Sequence, residues 1–361
     1  IYCSVSESYY SIKESLKKYQ PKYVITCNGR FGQTRPIYFL KNKFSYDCLT
    51  WEHFAQRDHF VWLKNKCAVD QDISNYWEKI RDKKLDEKQI SKTHENLDTQ
   101  KKGVNIKWNI LKNIDFDENY DVYKALNLDK KKSVISMFLN MTWDSSCLAH
   151  GIEEMNFHET TDYIIKNAIK YPNLQFVIRA HPAEANLPQN LKASVSTIDV
   201  LKSKNNKLPK NVYLIDSKSN ISSYKLSTIS DEAMFFSSTL GLEVLLQNKK
   251  ITTLGGRCYY AMKGFTRDIT KKSELLNFFN SLNTSNKKFG KRGSLENLSQ
   301  KEIRRVNTLA FFIRFNLNMR FSVIRRGILL LTPDKYKTYL ATSNNLLQYM
   351  IGKRLPFKLS E

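Results

Sequence analysis

The residues with the clearest capacity for chemistry follow a short apolar run, 174–178. This run is typical of a strand buried on both faces of a parallel sheet, and it ends in Arg179, Ala180, His181 and Pro182. Ligands of open α/β sheets bind beyond the carboxyl ends of the strands, and proline fixes the backbone there. The pattern predicts that His181 lies at a ligand-binding crevice. A histidine in a solvated turn is the alternative interpretation.

Three hydroxyl residues follow a second apolar run, 233–236. They are Ser237, Ser238 and Thr239, and a helical pattern that contains Glu243 begins at once after them. Hydroxyls and free backbone N–H groups at a helix N-terminus suit a phosphate through hydrogen bonds and the helix dipole. Ser and Thr are also ordinary helix caps. We interpret the segment as a candidate phosphate site, with capping as the alternative.

A third basic segment follows the apolar run 251–254. It begins with Gly255, Gly256 and Arg257 and continues to Lys263. Glycines beside cationic residues allow the backbone to come close to an anion, since they carry no side chain. Lys263 is therefore a further candidate for contact with an anionic ligand.

Two carboxylates are predicted at the carboxyl edges of strands. Asp144 follows the buried run 133–139, and Glu52 ends the second strand of a strand–helix–strand unit that begins at Lys22. The same unit places Asn28 and Arg30 on the edge that holds Glu52. A carboxylate beside a reacting centre can act as a nucleophile or a base. The alternatives are a helix N-cap for Asp144 and a surface carboxylate for Glu52.

The order of the predicted elements positions these residues on one kind of sheet. Short strands alternate with helices across 133–254, which favours an α/β fold with a doubly wound parallel sheet. The charged segment 74–113 is predicted to be helical, with a domain boundary in the connector 114–131. We expect an N-terminal domain over 1–128, a second domain over 129–290 and basic C-terminal helices over 291–361. The chain begins with Ile, so the first domain is expected to start upstream of residue 1.

Charge and composition restrict the classes of partner. The 361 residues carry a formal charge of +23, and residues 241–361 hold 23 Lys and Arg against 7 Asp and Glu. This bias predicts an anionic partner: nucleic acid, anionic lipid or a nucleotide-sugar phosphate. A nucleic-acid-binding protein is not expected, because the sequence contains no recognition-helix motif, RNA-binding aromatic signature or zinc module.

The cysteines and the hydrophobic runs indicate the compartment. The six cysteines are scattered without CxxC or metal-ligand spacing, which predicts reduced thiols, a cytoplasmic location and no structural zinc. No apolar run approaches the roughly 18 residues that span a bilayer. Apolar residues at helical spacing from Ile303 to Ile328 stand among arginines. They predict either a helix packed on the other domain or attachment to an anionic membrane, at the inner face of the plasma membrane.

Five segments together resemble a known family. They are FLNMTWDSS (138–146), FVIRAHPAE (176–184), NVYLIDSKSNISSY (211–224), FFSSTLGLEVLL (235–246) and GGRCYYAMKGFT (255–266). In this order they resemble the bacterial capsule polysaccharide biosynthesis proteins, a group that includes the Kdo transferases of capsule and lipopolysaccharide assembly. The resemblance covers about 130–270 and, more loosely, 20–55.

The resemblance implies a fold and a set of roles. It implies a GT-B glycosyltransferase with two Rossmann-like domains, the acceptor on the first and the donor nucleotide on the second. His181 and Pro182 would then form the nucleotide-binding His-Pro motif, and Ser237 and Ser238 the serine pair on the donor phosphate. Kdo-transferring relatives use an Asp as the nucleophile of a retaining mechanism and an N-domain Glu as acid/base. Asp144 and Glu52 stand at the matching positions.

The resulting hypothesis is sugar transfer from a nucleotide-activated donor to a growing capsule or lipopolysaccharide glycan. The sugar would be Kdo or similar and CMP-linked, the acceptor a glycan or glycolipid, and no metal or cofactor is expected. Arg179, His181 and Lys263 would stabilise the departing phosphate, with Thr239 and Glu243 as further donor contacts. The alternative is a CDP-alcohol phosphotransferase of the teichoic-acid polymerase kind, in which His181 would be the base and Asp144 structural.

Overall fold

The structure, a computed structural model, divides the chain into two compact units. The first combines 1–108 with 308–361, and the second is 109–307. The described residues are 2–53, 59–70, 72–101, 121–141, 151–187, 192–205, 207–284, 295–320, 324–325 and 328–329. The predictions at Asp144, over 102–120 of the charged segment and connector, and over 330–361 lie outside the described residues.

The first unit begins with a helix that covers one face of a sheet. Its elements are α1 (Tyr2–Tyr19), β1 (Tyr23–Cys27), α2 (Arg35–Leu40), β2 (Asp47–His53), β3 (His59–Lys64), a 3₁₀ turn (Ala68–Asp70), α3 (Ser74–Ile80) and α4 (Glu87–Lys101). Tyr9, Ile12 and Leu16 recur at helical spacing in α1 and pack against Leu40 and Cys48. The helices predicted for the charged segment 74–113 are confirmed up to residue 101 by α3 and α4.

The sheet of the first unit is mixed rather than wholly parallel. β1 and β2 run parallel across α2, with Cys27 opposite Trp51, which confirms the predicted strand–helix–strand unit. β3 then pairs antiparallel with β2, with Trp51 opposite Trp62. Only residues 54–58 separate β2 from β3, and a parallel return needs a crossover of a dozen or more residues. The short connection therefore explains the change of direction.

The second unit continues with alternating helices and strands. Its elements are α5 (Val122–Leu126), β4 (Ser133–Phe138), α6 (Phe157–Asn167), β5 (Leu174–Arg179), α7 (Ala183–Asn186), α8 (Thr197–Lys204), β6 (Val212–Ile215), α9 (Ser223–Ile229), β7 (Glu232–Phe235), α10 (Thr239–Leu245), β8 (Thr252–Leu254), β9 (Arg267–Ile269), α11 (Lys272–Thr284) and the part up to residue 307 of α12 (Gln300–Phe311). The predicted strands over 133–254 are confirmed, and β9 is an addition to them.

The six strands of the second unit form one parallel sheet in the order β6-β5-β4-β7-β8-β9. All six residues of β5 are buried, as expected of a central strand covered on both faces. Phe176 and Met234 of the sheet belong to the same buried cluster as Ile164 of α6 and Phe279 of α11. The predicted doubly wound α/β arrangement is confirmed for this unit.

The C-terminal segment differs from the predicted continuous helix. α12 passes into a π-helical turn (Phe312–Asn316), and the chain then forms β10 (Asn318–Arg320), which pairs antiparallel with β3. A short hairpin of β11 (Ile324–Arg325) and β12 (Ile328–Leu329) follows. The three- and four-residue spacing of apolar residues was therefore misleading beyond Asn316. Pairing with β3 gives the backbone of 318–320 hydrogen bonds outside any helix.

The apolar stripe of the C-terminal segment lies inside the protein in its described part. Val306, Ala310, Ile313 and Leu317 are all buried. Within the first unit, the Thr308 hydroxyl donates to the Lys83 carbonyl at 3.1 Å. This part of the stripe therefore packs inside the protein, whereas packing on the other domain stays a prediction. Attachment to an anionic membrane stays a prediction, and no helix among the described residues is long and apolar enough to cross a bilayer.

Candidate functional site

The carboxyl edge of the six-stranded sheet contains a topological switch point between β4 and β7. Strand numbering increases in one direction from β7 to β9 and in the opposite direction from β4 to β6. The connections that follow two such strands pass to opposite faces of the sheet. A crevice opens between them, where doubly wound proteins bind their ligands. Phe138 lies opposite Phe235 in the register of these two strands, and their rings are stacked with the ring centroids 5.0 Å apart.

A hydrogen-bonded pair lies immediately beyond this stack. Two residues after the register pair, Asn140 Nδ2 donates to Ser237 Oγ at 3.0 Å, and the Ser237 N–H donates to Asn140 Oδ1 at 3.4 Å. Asn140 is buried and Ser237 is half-buried. The sequence analysis did not select Asn140 as a site residue. The available signal was its position two residues beyond a predicted strand, the same offset that Ser237 has from Phe235.

The two residues of the serine pair have different hydrogen-bond partners in the structure. Ser238 Oγ accepts from the Leu240 N–H at 3.4 Å and caps α10, a helix of seven residues, so the capping interpretation holds for this serine. Ser237 instead binds Asn140. Thr239 is the exposed first residue of α10. The two hydroxyls that were predicted to act together thus have separate partners.

Tyr260 fixes the backbone of this turn from the other side. Its hydroxyl donates to the Ser238 carbonyl at 2.8 Å, and the ring is completely buried, which raises the pKa of the phenol. The ring lies directly against Gly241, where a Cβ would overlap the Tyr260 hydroxyl. Gly241 is therefore required by the close approach of Tyr260.

Replacing Gly241 with Ala is expected to destabilise the protein by about 1–2 kcal/mol. Overpacking costs about 1–3 kcal/mol, and the better helix propensity of Ala returns about 1 kcal/mol or less. Urea unfolding measures the difference. In a Tyr260→Ala background the same substitution should cost less, because the overlapping ring and hydroxyl are both absent. An equal cost in both backgrounds would contradict the packing argument.

His181 lies at the end of β5 in a turn that orients its ring. The Ala183 N–H donates to His181 Nδ1 at 3.1 Å, and the Glu184 N–H donates to the His181 carbonyl at 3.0 Å. Because Nδ1 accepts this hydrogen bond, the N–H of the ring is at Nε2 in this arrangement. Pro182 precedes α7 directly. Glu184 is buried and accepts from the Thr197 N–H at 2.8 Å, which ties this turn to the start of α8.

Arg179 has a different environment from the one that its charge suggested. The side chain is 1% exposed, and its guanidinium donates to the Asp216 carbonyl and, at 3.2 Å, to the Ser219 carbonyl. Burial lowers the pKa of the Arg179 guanidinium to about 10, so it remains cationic at neutral pH. Arg179 therefore ties the end of β5 to the loop after β6, where Asp216 follows Ile215.

Glu243 and Lys263, the remaining predicted donor contacts, are both buried. Glu243 Oε2 accepts from the Tyr224 hydroxyl, which links α10 to α9. Lys263 is 8% exposed and lies in the loop after β8. At the start of that loop a Cβ at Gly255 would overlap the Gly151 backbone. The glycine thus allows contact between two loops, whereas the sequence predicted room for an anion.

A separate edge in the first unit holds Glu52. Because Cys27 is opposite Trp51, the next residues, Asn28 and Glu52, are adjacent, and Asn28 Nδ2 donates to Glu52 Oε2 at 2.5 Å. The His53 N–H donates to Glu52 Oε1 at 2.9 Å. The structure confirms that Asn28 and Glu52 share one carboxyl edge.

The turn after β1 holds the Asn28 amide in one orientation. Asn28 is buried in the left-handed region, at φ +61°, and its Oδ1 accepts from the Arg30 N–H at 3.0 Å. With Oδ1 occupied in this way, the amide nitrogen faces Glu52. Arg30 pairs with Asp70, whose pKa burial raises. Glu52 is thus a half-buried carboxylate held by two donors.

Cysteines and other potential metal ligands occur in both units. Within the described ranges, no group of three or more His, Cys, Asp or Glu side chains could hold a metal ion. Cys27, Cys48, Cys67 and Cys258 are not part of a disulfide. Burial raises the pKa of Cys258 to about 12, so this thiol stays protonated.

The strand order and the polar edge define the second unit as a Rossmann-type α/β domain with a ligand crevice at its switch point. The sequence profile of the family described as "capsule polysaccharide biosynthesis protein" matches residues 67–287. The chain belongs to this family. The match includes the whole switch-point edge and also the charged segment 74–113, which the resemblance drawn from the sequence had not covered.

Several solved structures are similar to the chain. The β-Kdo 2,4 transferase KpsC of Thermosulfurimonas dismutans is 13% identical, with 80% of this chain and 79% of that chain covered and a TM-score of 0.45. The β-Kdo 2,7 transferase KpsC of the same organism is 15% identical, with 92% and 89% covered and a TM-score of 0.43. The S. aureus MnaA–UDP co-structure is 11% identical, with 97% and 80% covered and a TM-score of 0.35. No curated protein sequence matches the chain.

Proposed function

We propose that this protein is a glycosyltransferase that moves a sugar from a nucleotide-activated donor to a growing capsule- or lipopolysaccharide-type glycan. The observation that carries the proposal is the polar switch-point edge, with His181 and Ser237, inside the segment matched by the capsule polysaccharide biosynthesis family. In this proposal the second unit binds the nucleotide and the first unit contributes the acceptor side with Glu52. The donor is CMP-linked Kdo or a similar sugar.

The orientation of His181 supports phosphate binding over proton abstraction. Nδ1 accepts the Ala183 N–H, so Nε2 carries a hydrogen and can donate to an anionic oxygen. A general base would need a lone pair at Nε2, which requires a hydrogen on Nδ1 and the loss of the Ala183 contact. The phosphotransferase alternative assigns the base role to His181. The ring geometry therefore favours the glycosyltransferase.

A thermal-shift screen against CMP, CDP, UDP and GDP tests nucleotide binding directly. A ligand present at a hundred times its dissociation constant stabilises the folded protein by about 2.7 kcal/mol. We expect the largest shift with CMP. The absence of a shift with all four nucleotides would contradict the proposed donor class.

Variants then test the position of the donor. His181→Ala, and separately Ser237→Ala with Ser238→Ala, should weaken nucleotide binding, since each hydrogen bond to a charged group is worth about 1.5–3 kcal/mol. His94→Ala, a histidine of α4 in the first unit, is the matched control and should bind as the wild type does. Unchanged affinity in both test variants would mean that the phosphate binds elsewhere.

A transfer assay separates the two reaction classes. Labelled CMP-Kdo and a labelled CDP-alcohol are offered with the same glycan acceptor, and incorporation of each label is measured. Incorporation of the sugar without the alcohol phosphate is the expected result. Transfer of the alcohol phosphate alone would replace this proposal with the teichoic-acid polymerase type of reaction.

A further inference from the structure

We propose that Asn140 is a positioning residue that orients the Ser237 hydroxyl as a hydrogen-bond donor toward the phosphate of the bound nucleotide. The inference rests on the proposed function, since it names how that site recognises its anion. It assigns a role to a side chain that neither the motifs nor the family match singled out. The direction of each hydrogen bond between Asn140 and Ser237 determines this role.

The sheet register brings these two residues together. β4 and β7 are parallel, and Phe138 is opposite Phe235. Side chains of a strand alternate between its two faces, so residues two positions further on return to the same face. Continuing the register by two residues places Asn140 opposite Ser237 at the switch point. The stacked rings of Phe138 and Phe235 hold the two strand ends at this spacing.

The backbone determines which end of the Asn140 amide faces which atom. The Ser237 N–H can only donate, so the oxygen of the amide must face it, as observed at 3.4 Å. The amide nitrogen then faces Ser237 Oγ at 3.0 Å. Nitrogen of a side-chain amide can only donate, and Ser237 Oγ is therefore the acceptor of this bond.

This arrangement leaves the hydrogen of the Ser237 hydroxyl for another acceptor. Among the described residues no side chain or carbonyl accepts from it, and Ser237 is half-buried rather than closed off. Phosphate oxygens are strong acceptors, and bonds to charged acceptors are the stronger ones. The Ser238 hydroxyl is oriented differently, because its oxygen accepts the Leu240 N–H as the cap of α10.

Replacement of the Asn140 amide either reverses the orientation of the Ser237 hydroxyl or leaves that hydroxyl without an orienting partner. In Asn140→Asp the carboxylate can only accept, so the Ser237 hydroxyl turns its hydrogen toward Asp and away from the ligand. The added negative charge also repels a phosphate. In Asn140→Ala the hydroxyl rotates without a partner. Asn140→Asp is therefore expected to weaken binding more than Asn140→Ala, although it keeps the shape of the side chain.

Calorimetric titration with CMP, and with cytidine as its phosphate-free counterpart, measures these effects. We expect CMP affinity to fall about tenfold in Asn140→Ala and about a hundredfold in Asn140→Asp, in line with the loss of a charge-assisted bond. Cytidine affinity should not change. The matched control is Asn173→Asp, which makes the same charge change at the opposite, amino-terminal end of β5.

A double-mutant cycle with Ser237→Ala tests positioning against a merely structural role. If Asn140 acts through Ser237, Asn140→Ala should have no further effect on CMP affinity once the hydroxyl is absent. The inference would be overturned if the fold-losses of CMP affinity in the two single variants multiplied in the double variant. It would also be overturned if Asn140→Ala lowered the affinities for CMP and cytidine equally. Wild-type protein that binds CMP while Asn140→Asp binds it equally well would also overturn it. Wild-type protein that binds no nucleotide would overturn the proposed function itself.

Discussion

Glu52→Gln is expected to lower sugar transfer by about 10²–10⁴-fold, the contribution typical of a positioned acid or base. The amide of Gln matches the carboxylate in shape but cannot exchange a proton at neutral pH. One oxygen remains to accept from either Asn28 Nδ2 or the His53 N–H, so the side chain stays near its native position. Turnover of the donor with acceptor present is the measurement, and CMP affinity of the second unit should be unchanged.

The control for this substitution is Glu78→Gln on α3. Glu78 is an exposed carboxylate that pairs with Arg81 three residues away, a contact worth little in water. Thermal unfolding of both variants checks that Glu52→Gln remains folded despite one lost acceptor. If Glu52→Gln transfers sugar at nearly the wild-type rate, Glu52 is a carboxylate that only organises the turn around Asn28.

Asp144→Asn is expected to reduce transfer by about a thousandfold or more while CMP binds normally. Removal of a covalent nucleophile has effects of this size or larger in other enzymes. Asp144 follows β4 closely, four residues after Asn140 at the switch point. Asn keeps most of the capping ability of Asp, since both are good N-cap residues, but it removes the negative charge. A catalytic role and a capping role therefore predict different results.

Asp162→Asn provides the comparison for Asp144. Asp162 lies on α6, the helix that follows the same strand, and is half-buried. It pairs with Lys166 at 2.6 Å and accepts from Asn205 Nδ2 at 2.9 Å, and an Asn at this position can keep the second bond through its own Oδ1. Its substitution should leave both transfer and stability close to wild type. Normal turnover of Asp144→Asn, at a normal donor affinity, would reduce Asp144 to a helix cap. Glu52 would then be the remaining carboxylate for the chemistry.

The two carboxylates and the nucleotide site report on separate steps. Variants at Asn140, His181 and Ser237 should change donor affinity, whereas variants at Asp144 and Glu52 should change turnover at saturating donor. A substitution that lowers turnover without changing ground-state affinity removes an interaction made in the transition state. This division makes the proposals about binding and chemistry independently testable.

The local sequence was sufficient to predict the positions of most strands and of several site residues. Short, mainly apolar runs predicted β1, β2 and β4 to β8. Burial on both faces of a sheet favours such runs, and it is complete for β5, β7 and β8. The residues that end those strands, His181, Ser237 and Glu52 among them, accordingly lie at the carboxyl edges. β9 was not predicted: two of its three residues, Arg267 and Asp268, are charged, and the hydrophobic signal is absent.

Partners of the polar groups could not be predicted from the sequence. Arg179 appeared to be a cation for a phosphate, yet it donates to carbonyls at Asp216 and Ser219, about forty residues away. Gly255 appeared to make room for an anion, yet the Gly151 backbone occupies that space. The residue type determines the charge and the hydrogen-bond donors of a side chain. The fold of the whole chain determines which acceptor lies near them.

By itself the sequence determined the class of this protein: apolar periodicity specifies strands and helices, and their alternation specifies a doubly wound sheet. Tertiary structure alone decided that the C-terminal segment leaves its helix to pair with β3, and that Asn140 meets Ser237. The tendency of an apolar run to be buried depends only on the residues of that short segment. Pairing depends on register and strand order, and these bring together residues that are distant along the chain.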